Sequence, residues 1–358
     1  MNVNELLQLM VKKNISDIHF KAGAAPLIRV NGKLISTGFD QFSYKHLEEL
    51  AFSFMNDAQK KHFLEENELD LAHSIDAVSR FRVNVYRQRG TIALTLRVVP
   101  LSIKNFAELN LPGEPMQKLA SEPRGLILIA GVTGAGKTTT MNSIVDYINS
   151  NFQYNIVSVE DPIEYFHKDK KSSVSQREVG IDTKSYSKAL KYILRQDPDV
   201  VVIGEMRDYE AMLAAITTAE TGHLVISTIH TMDAAQTIDR IVGSCPPHQQ
   251  ASVRSQLAYV IKGIVAQRLV SSKDGSSRLP VTEILIGTSL IKKLLADDKL
   301  SDVYKAMEQG SYYGMRTFDQ SLLELYKDGK ITMEEALDKS SNPDDLTLKL
   351  RGIERGAE

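Results

Sequence analysis

The chain has 358 residues, which at roughly 150 residues per domain indicates two or three domains. Hydrophobic residues make up 42% and charged residues 25%, as in ordinary globular proteins. The net charge of −2 argues against nucleic acid or anionic lipid as the main partner, and the single cysteine, Cys245, excludes an intrachain disulfide and a cysteine-based zinc site.

The compartment can be predicted from the apolar runs and the N-terminus. The longest apolar runs fall far short of the roughly 20 residues that a membrane-spanning helix needs. The first residues include an acidic side chain and no basic region, so we expect no signal peptide. These features predict a protein of the cytosol.

The spacing of apolar residues over 1–100 predicts a small α/β domain. This spacing is helical in some stretches and alternates, as in strands, in others. A hairpin-type turn is predicted at Asn31 and Gly32. The predicted elements are, in chain order, a helix over 4–13, strands over 17–20 and 26–34, helices over 43–55 and 57–67, and alternating strands over 81–86 and 92–98.

Residues 101–123 contain several prolines and predict a linker with a short helix. From 124 to 287 the chain alternates strand and helix, and its strands are continuous apolar runs, which suit a parallel sheet covered on both faces. Residues 288–358 predict a helical region. The four apolar runs are Leu126–Ala130, Ile156–Val159, Val200–Ile203 and Leu224–Ser227.

The segment from Gly131 to Thr138 matches the P-loop pattern in full. A buried strand before it and a helix after it favour this interpretation over a plain glycine turn. Its glycines let backbone amides surround phosphate oxygens, Lys137 is expected to reach the β- and γ-phosphates, and the Thr138 hydroxyl is expected to ligate Mg²⁺. The candidate residues for binding ATP and Mg²⁺ are Gly131, Thr133, Gly134, Ala135, Gly136, Lys137, Thr138 and Thr139.

Carboxylates follow two of the predicted parallel strands. Glu205 follows the strand over 200–203, where a P-loop protein places the carboxylate that supports Mg²⁺. Glu160, Asp161 and Glu164 follow the strand over 156–159, at the edge where parallel sheets bind ligands. One of the three could orient the attacking water. The alternative is that these are solvated surface carboxylates.

Histidine and arginine side chains supply further candidates. His230 follows the fourth strand and could sense the γ-phosphate or position a carboxylate, although a histidine at a strand end is also a common structural hydrogen-bonding group. A basic cluster on the N-terminal strands is either a solvated strand face or a source of arginine fingers, which stabilise phosphoryl-transfer charge. The arginines concerned are Arg82, Arg87, Arg89 and Arg97, with Arg207 as a similar candidate.

Several motifs together carry a resemblance to a known family. Those that resemble the secretion ATPase superfamily are Gly131–Thr139, Ser158–Glu164, Leu194–Asp199 and Ile203–Asp208. Those that are similar to the PilT-type retraction ATPases of type IV pili are Ala219–Leu224, Ser227–Thr231 and Gln267–Leu269, with Ser16–Phe20 and Arg80–Val99 near the N-terminus. The resemblance covers nearly the whole chain.

The resemblance implies a PAS-like N-terminal domain over 1–100 and a RecA-like ATPase domain over 124–287. It further implies a homo-oligomeric ring, expected to be a hexamer, with nucleotide bound between subunits. Implied site residues are Glu164 as general base, Glu205 as support for Mg²⁺, His223 and His230 as the histidine box, Glu160 and Asp161 near the nucleotide, and Arg82 and Arg97 as phosphate-sensing arginines.

The same resemblance implies that hydrolysis drives pilus retraction by turning a PilC-type platform protein in the inner membrane. The ATPase would then be cytoplasmic and peripheral at the pilus base. Related ATPases for pilus extension and type II secretion carry a four-cysteine zinc motif, and the single cysteine here favours retraction over those two functions.

The C-terminal part departs from the family pattern. Leu290–Asp297 stands where retraction motors carry a helix with two arginines, here replaced by Lys292 and Ala296. The tail from Gly314 onward is more similar to PilU-type accessory ATPases. An auxiliary retraction ATPase and a regulatory nucleotide-binding subunit therefore remain alternatives.

Overall fold

The computed structural model describes residues 3–13, 15–30, 33–75, 79–99 and 102–351. The chain forms two compact units. The first runs to Ser102 and also includes Glu164–Phe166, and the second comprises Ile103–Ile163 and the chain from His167 onward. Both units combine strands with helices, so the expected α/β class is confirmed. No helix within these described ranges is long and apolar enough to span a membrane.

The first unit is built on one antiparallel sheet. Its elements are α1 (Val3–Lys12), β1 (Asp17–Lys21), β2 (Leu27–Val30), β3 (Lys33–Ser36), α2 (Tyr44–Ser53), α3 (Asp57–Glu66), β4 (Glu68–Ile75), β5 (Ser79–Gln88) and β6 (Thr91–Val99). The strand order is β3-β2-β1-β6-β5-β4. Phe81, Val83 and Val85 of β5 are fully buried, whereas Arg82 and Asn84 between them are partly exposed. This alternation gives the sheet one apolar face, which packs with the helices into a core.

The predicted elements of this unit are confirmed to within a few residues. The turn predicted at Asn31 and Gly32 lies outside the described residues. Strand β4 was not predicted, because it is an edge strand in which Leu71 is buried but Glu68 and Asp70 are exposed. Its sequence therefore lacks the strong apolar alternation of β5.

The second unit is a larger α/β unit. Its helices are α4 (Gly113–Ala120), α5 (Lys137–Asn151), α6 (Tyr186–Ile193), α7 (Tyr209–Glu220), α8 (Ala234–Gly243), α9 (Gln250–Val260), α10 (Ser289–Ala296), α11 (Leu300–Glu308), α12 (Phe318–Lys327), α13 (Met333–Asp338) and α14 (Pro343–Leu350). Its strands are β7 (Gly125–Ala130), β8 (Asn155–Glu160), β9 (Ser173–Glu178), β10 (Val200–Ile203), β11 (Leu224–Ile229), β12 (Ile261–Ser271) and β13 (Arg278–Ile286).

The sheet of this unit has the strand order β13-β12-β7-β11-β10-β8-β9. Its strands run parallel except for β13, which pairs antiparallel with β12. Strands β7, β10 and β11 are buried along their whole length, and α5 and α7 both pack against β7 and β11. The C-terminal ends of β7, β11, β10 and β8 consequently share one edge, where ligands of parallel sheets bind.

The stretch over 101–123 contains the predicted short helix, α4. Met116 and Leu119 of α4 are buried in the core of the second unit, to which the chain belongs from Ile103 onward. The helical pattern predicted near the C-terminus is also present, as α10 to α14.

Candidate active site

The P-loop connects β7 to α5 through glycines in conformations that other residues rarely adopt. Gly131, Gly134 and Gly136 have φ angles of 156°, 79° and 88°. A Cβ atom on Gly131 would lie 2.7 Å from the carbonyl oxygen of Gln267, and one on Gly136 would lie 2.7 Å from its side-chain nitrogen. The loop therefore needs glycine for both conformation and space. Its amides lead into the N-terminus of a 15-residue helix, a favourable place for phosphate.

The ammonium group of Lys137 lies over this loop. Lys137 is 7% exposed, and its Nζ donates hydrogen bonds to the carbonyl oxygens of Gly131 at 2.8 Å and Val132 at 3.1 Å. The same Nζ lies 3.4 Å from Nδ1 of His230. The cation is thus held at the loop where a bound phosphate would meet it.

Strand order explains why His230 reaches both halves of the site. Strand β11 lies between β7 and β10, so the first residue after it, His230, stands between the P-loop and Glu205. Its Nε2 lies 2.8 Å from Oε1 of Glu205, while Nδ1 faces Lys137. These contacts join Lys137, His230 and Glu205 in one cluster.

Glu205 is further fixed from two sides. Its Oε2 accepts a hydrogen bond from Nε of Arg207 at 3.0 Å. The backbone before it is held by Thr228, whose hydroxyl donates to the carbonyl oxygen of Gly204 at 2.7 Å. The carboxylate is therefore positioned by β10 and β11 together, and Arg207 serves it as an ion-pair partner.

The residues present fit a Mg²⁺ ion brought by a nucleotide. Mg²⁺ prefers hard oxygen ligands and is usually held by one or two protein groups together with phosphates and water. The hydroxyl of Thr138, in the first turn of α5, and the carboxylate of Glu205 are donors of that kind. Among the described residues no cluster of three His, Cys, Asp or Glu side chains could hold a metal ion by itself. Phosphate oxygens would have to complete the coordination.

The three carboxylates after β8 have different surroundings. Glu160 is 3% exposed, and its Oε1 accepts hydrogen bonds from Ser158 at 2.8 Å and from the amide of Gln176 at 3.1 Å. Asp161 is exposed. Glu164 is exposed too and belongs to the short segment that groups with the first unit.

Tyr186 is a neighbour of this edge that sequence reasoning missed. Its hydroxyl is so close to Gly204 that a Cβ atom there would lie 3.1 Å away. Burial raises the pKa of Tyr186 above its ordinary value, and the charges of Asp161 and Glu160 raise it further. The hydroxyl therefore keeps its proton and can donate it in a hydrogen bond.

The structure does not bring His223 to the P-loop of the same chain. His223 precedes β11 and His230 follows it, and a six-residue strand at about 3.3 Å per residue separates the two by about 20 Å. Nδ1 of His223 lies 3.1 Å from the carbonyl oxygen of Thr218 and from the hydroxyl of Thr221. Within one chain, His223 therefore contacts the C-terminal end of α7.

Gln267 is a site residue to which the sequence had assigned no role. It is 4% exposed, its amide nitrogen donates to the carbonyl oxygen of Ala135 at 2.7 Å, and its Oε1 accepts from the hydroxyl of Thr140 at 2.7 Å. One side chain on β12 thus holds both the P-loop and the first turn of α5. The motif Gln267–Leu269 was recognisable, but its use depends on the pairing of β12 with β7.

Replacing Gln267 by alanine is expected to weaken ADP binding about tenfold, because the substitution leaves a buried carbonyl oxygen and hydroxyl without their partner. Titration calorimetry with ADP measures the effect. Replacing Gln256 of α9, which contacts Glu220 instead, is the matched control. Equal affinities of the Gln267 variant and the unsubstituted chain would show that this contact does not shape the loop.

Arginines lie in one row across the sheet of the first unit. Arg97 of β6 pairs with Arg82 of β5 on one side and with Asp17 of β1 on the other, and Asp17 in turn pairs with Arg29 of β2. Nε of Arg97 donates to Oδ1 of Asp17 at 2.7 Å, whereas Arg82 lies 3.7 Å from Asp70. Like charges directly opposite each other are destabilising. An anion bound beside this row would therefore reduce the repulsion between Arg82 and Arg97.

A cavity of about 650 Å³ opens beside the P-loop in the second unit. Its volume lies within the range of small-molecule sites. The cavity is lined by the P-loop, by the segment that follows β11, and by α8. The lining residues include Val132, Thr133, His230, Thr231, Gln236 and Arg240. His230, one member of the cluster, thus borders open space of the size that a ligand requires.

Comparison with known proteins places these features in a family. The family model described as "Type II/IV secretion system protein" matches residues 2–305. The chain is 40% identical to the type IV pilus retraction ATPase PilT of Pseudomonas aeruginosa, over 97% of this chain and 100% of that protein. It is 39% identical to the type IV pilus ATPase PilU of the same organism, over 98% of this chain and 92% of the relative.

A solved structure gives the same result for the fold. The crystal structure of the pilus retraction motor PilT with bound ADP matches with a TM-score of 0.90 and 41% identity, over 97% of this chain and 99% of that one. The agreement extends over both units, and the relative binds an adenine nucleotide.

Proposed function

We propose that this chain, which belongs to the type II/IV secretion system protein family, hydrolyses ATP to power the retraction of type IV pili. The observation that carries the proposal is the cluster of Lys137, His230 and Glu205 beside a glycine loop that leads into a helix N-terminus. The similarity to PilT, over nearly the full length of both chains, supports pilus retraction as the work that hydrolysis drives.

In this proposal the P-loop amides and Lys137 bind the phosphates of ATP. The hydroxyl of Thr138 and the carboxylate of Glu205 would hold Mg²⁺, which when bound neutralises phosphate charge. His230 keeps Glu205 and Lys137 in a fixed relation through its two ring nitrogens. Glu164 is proposed to accept the proton of the attacking water, a role for which an exposed carboxylate is free to move.

The arginine row of the first unit is the proposed source of charge stabilisation. We expect Arg82 and Arg97 to contact the phosphates of a nucleotide and to make the first unit responsive to hydrolysis. Asp17 supports this role, because its buried carboxylate holds only Nε of Arg97, whose side chain is 65% exposed. The other nitrogens of the guanidinium are proposed to bind phosphate. Movement of the first unit would then be transmitted around a homo-oligomeric ring.

Replacing Arg82 by alanine is expected to lower kcat about a hundredfold or more, in line with the effect of losing a charge-stabilising arginine. ATP hydrolysis by the purified variant measures this. Lys21→Ala removes a positive charge from an exposed position on the same sheet and is the control. Wild-type kinetics in the Arg82 variant would mean that this arginine belongs to a solvated strand face.

The proposed partner is the PilC-type platform protein of the inner membrane, on which the ring would act from the cytoplasmic side. The similarity to a pilus retraction ATPase supports this proposal. We propose a peripheral association, without nucleic acid, since the net charge of −2 offers no general attraction to a polyanion.

An auxiliary role in retraction is the second candidate function. The identities to PilT and PilU differ by a single percentage point. In addition, α10 carries Lys292 and Ala296 where a principal motor of the family would carry arginines, and Nζ of Lys292 donates to the carbonyl oxygen of Tyr259. An auxiliary ATPase would hydrolyse ATP but would not by itself be required for retraction.

Hydrolysis and assembly of the purified chain test the biochemical part of the proposal. We expect Mg²⁺-dependent release of phosphate from ATP, together with a mass in solution of about six chains when nucleotide is present. A chain that stays monomeric with nucleotide, or that releases no phosphate, would contradict a ring motor.

A further inference from the structure

A buried carboxyl group outside the P-loop cluster holds the beginning of a helix. Glu283, on β13, is 3% exposed. Its Oε1 accepts a hydrogen bond from the backbone amide of Ala234, the first residue of α8, at 2.9 Å. Burial raises the pKa of Glu283 to about 7, and the hydrogen bond from Ala234 opposes that rise, because a helix N-terminus favours negative charge.

The side chain that caps α8 leaves that amide to Glu283. The cap, Asp233, accepts from the amide of Gln236 instead. Amides in the first turn of a helix have no acceptor within the helix. Glu283 therefore supplies the bond that fixes the very first residue of α8.

The start of α8 is tied in turn to the segment that carries His230. Three residues separate His230 from Ala234. The hydroxyl oxygens of Thr231 and Thr237 lie 2.7 Å apart, and the hydroxyl of Thr237 also donates to the carbonyl oxygen of Asp233 at 2.7 Å. A displacement of the first turn of α8 would therefore be passed to His230.

We propose that Glu283 is a positioning residue for ATP hydrolysis, which anchors the N-terminus of α8 and thereby sets His230 against Lys137 and Glu205. This inference rests on the proposed function, because it assigns Glu283 to the same reaction. Glu283 does not touch the site cluster itself. Its effect passes through the backbone of one short segment, which makes the inference separable from a general contribution to stability.

The first test is the kinetics of Glu283→Gln. Glutamine keeps the size and one acceptor oxygen, but it cannot carry a negative charge, and its NH₂ group cannot accept a hydrogen bond from the amide of Ala234. We expect kcat to fall about tenfold, since small displacements of positioned groups cost up to about a hundredfold in rate. The Kd for ADP should stay within about twofold of the unsubstituted value, because Lys137 and the P-loop amides are unchanged.

A second variant removes the same bond from the other side. Ala234→Pro deletes the amide that donates to Glu283, and proline is well tolerated as the first residue of a helix. The extended backbone of Asp233, with φ −152° and ψ 177°, suits the residue before a proline. This variant is expected to fold and to show the same fall in kcat, so it decides the question even if Glu283→Gln is unstable.

A double-mutant cycle with His230→Ala distinguishes positioning from stability. If Glu283 acts through His230, Glu283→Gln should cost about tenfold alone and almost nothing in the His230→Ala background. The matched control is Asp319→Asn, which alters another carboxylate that is 3% exposed and that holds the backbone amides of Ser341 and Asn342 instead. It should lower Tm and leave kcat unchanged.

Two results would overturn the inference. Full kcat in Glu283→Gln and Ala234→Pro would show that the anchor has no bearing on hydrolysis. Equal fold losses with and without His230 would show a structural effect that does not pass through that histidine. An unsubstituted chain that hydrolyses no ATP would refute the proposed function along with this role, whereas an active chain that is insensitive to Glu283 refutes the positioning role alone.

Discussion

Replacing Lys137 by alanine is expected to reduce ATP hydrolysis by at least about a hundredfold, the cost of removing one group aimed at developing phosphate charge. The cation lies at the P-loop and is held there by two loop carbonyl oxygens, which a phosphate can replace as its partner. Alanine would also separate the loop from His230, whose ring stands 3.4 Å from Nζ. Steady-state phosphate release from the purified variant measures the loss.

Lys188→Ala provides the control for Lys137→Ala. Lys188 is exposed on α6, so its removal changes the net charge equally without touching the loop. Its kinetics should match those of the unsubstituted chain. Unchanged hydrolysis by Lys137→Ala would instead show that the P-loop does not bind the ATP that is hydrolysed. The cluster around His230 would then have no substrate beside it.

Replacing Glu164 by glutamine is expected to preserve nucleotide binding and to lower kcat by about a hundredfold to ten-thousandfold, the range for loss of a general base. Glutamine cannot accept the proton of water, but it keeps the size of the side chain. Binding of ADP by calorimetry and single-turnover hydrolysis of ATP measure the two steps separately.

Glu160→Gln is the informative comparison for Glu164→Gln. Glu160 is buried, and hydrogen bonds from Ser158 and Gln176 already occupy one of its oxygens, so it is a poorer proton acceptor for water than an exposed carboxylate. We expect a smaller loss of kcat for this variant. Normal hydrolysis by Glu164→Gln combined with a large loss in Glu160→Gln would move the general base to Glu160.

Local sequence patterns predicted the elements whose periodicity is strong. The continuous apolar runs became β7, β8, β10 and β11, and the alternation over 81–86 became β5. Strands β9 and β4 were not predicted, because each lies at a sheet edge and has many polar residues, which give a weak signal. Strands β12 and β13 were not predicted either, although both are largely buried. Periodicity alone does not distinguish a short apolar strand from a segment of buried helix.

The site could be predicted where one short motif supplies the chemistry. Gly131–Thr138 is local in sequence, and its glycines were recognisable because phosphate requires close approach of the backbone. Gln267 and Glu283 were not recognisable, since their roles arise only when β12 and β13 join the sheet beside β7. Nothing in the residues around them indicates which loop or helix they will hold.

His223 shows a second limit of sequence reasoning. The resemblance to retraction ATPases implied that His223 and His230 form one histidine box, but strand β11 lies between them. Two side chains at the two ends of one strand reach opposite edges of a sheet. If His223 has a role at a nucleotide, we propose that it acts on a nucleotide of another subunit in the ring.

Filming pili in the source organism tests the central claim most directly. The gene would be deleted and then restored either unchanged or as Lys137→Ala, and surface pili would be counted and their lengths followed in time. A retraction motor predicts abundant pili that no longer shorten, with recovery only by the unchanged gene. Cells without pili would contradict retraction and indicate extension, and pili that still retract normally would contradict a principal motor.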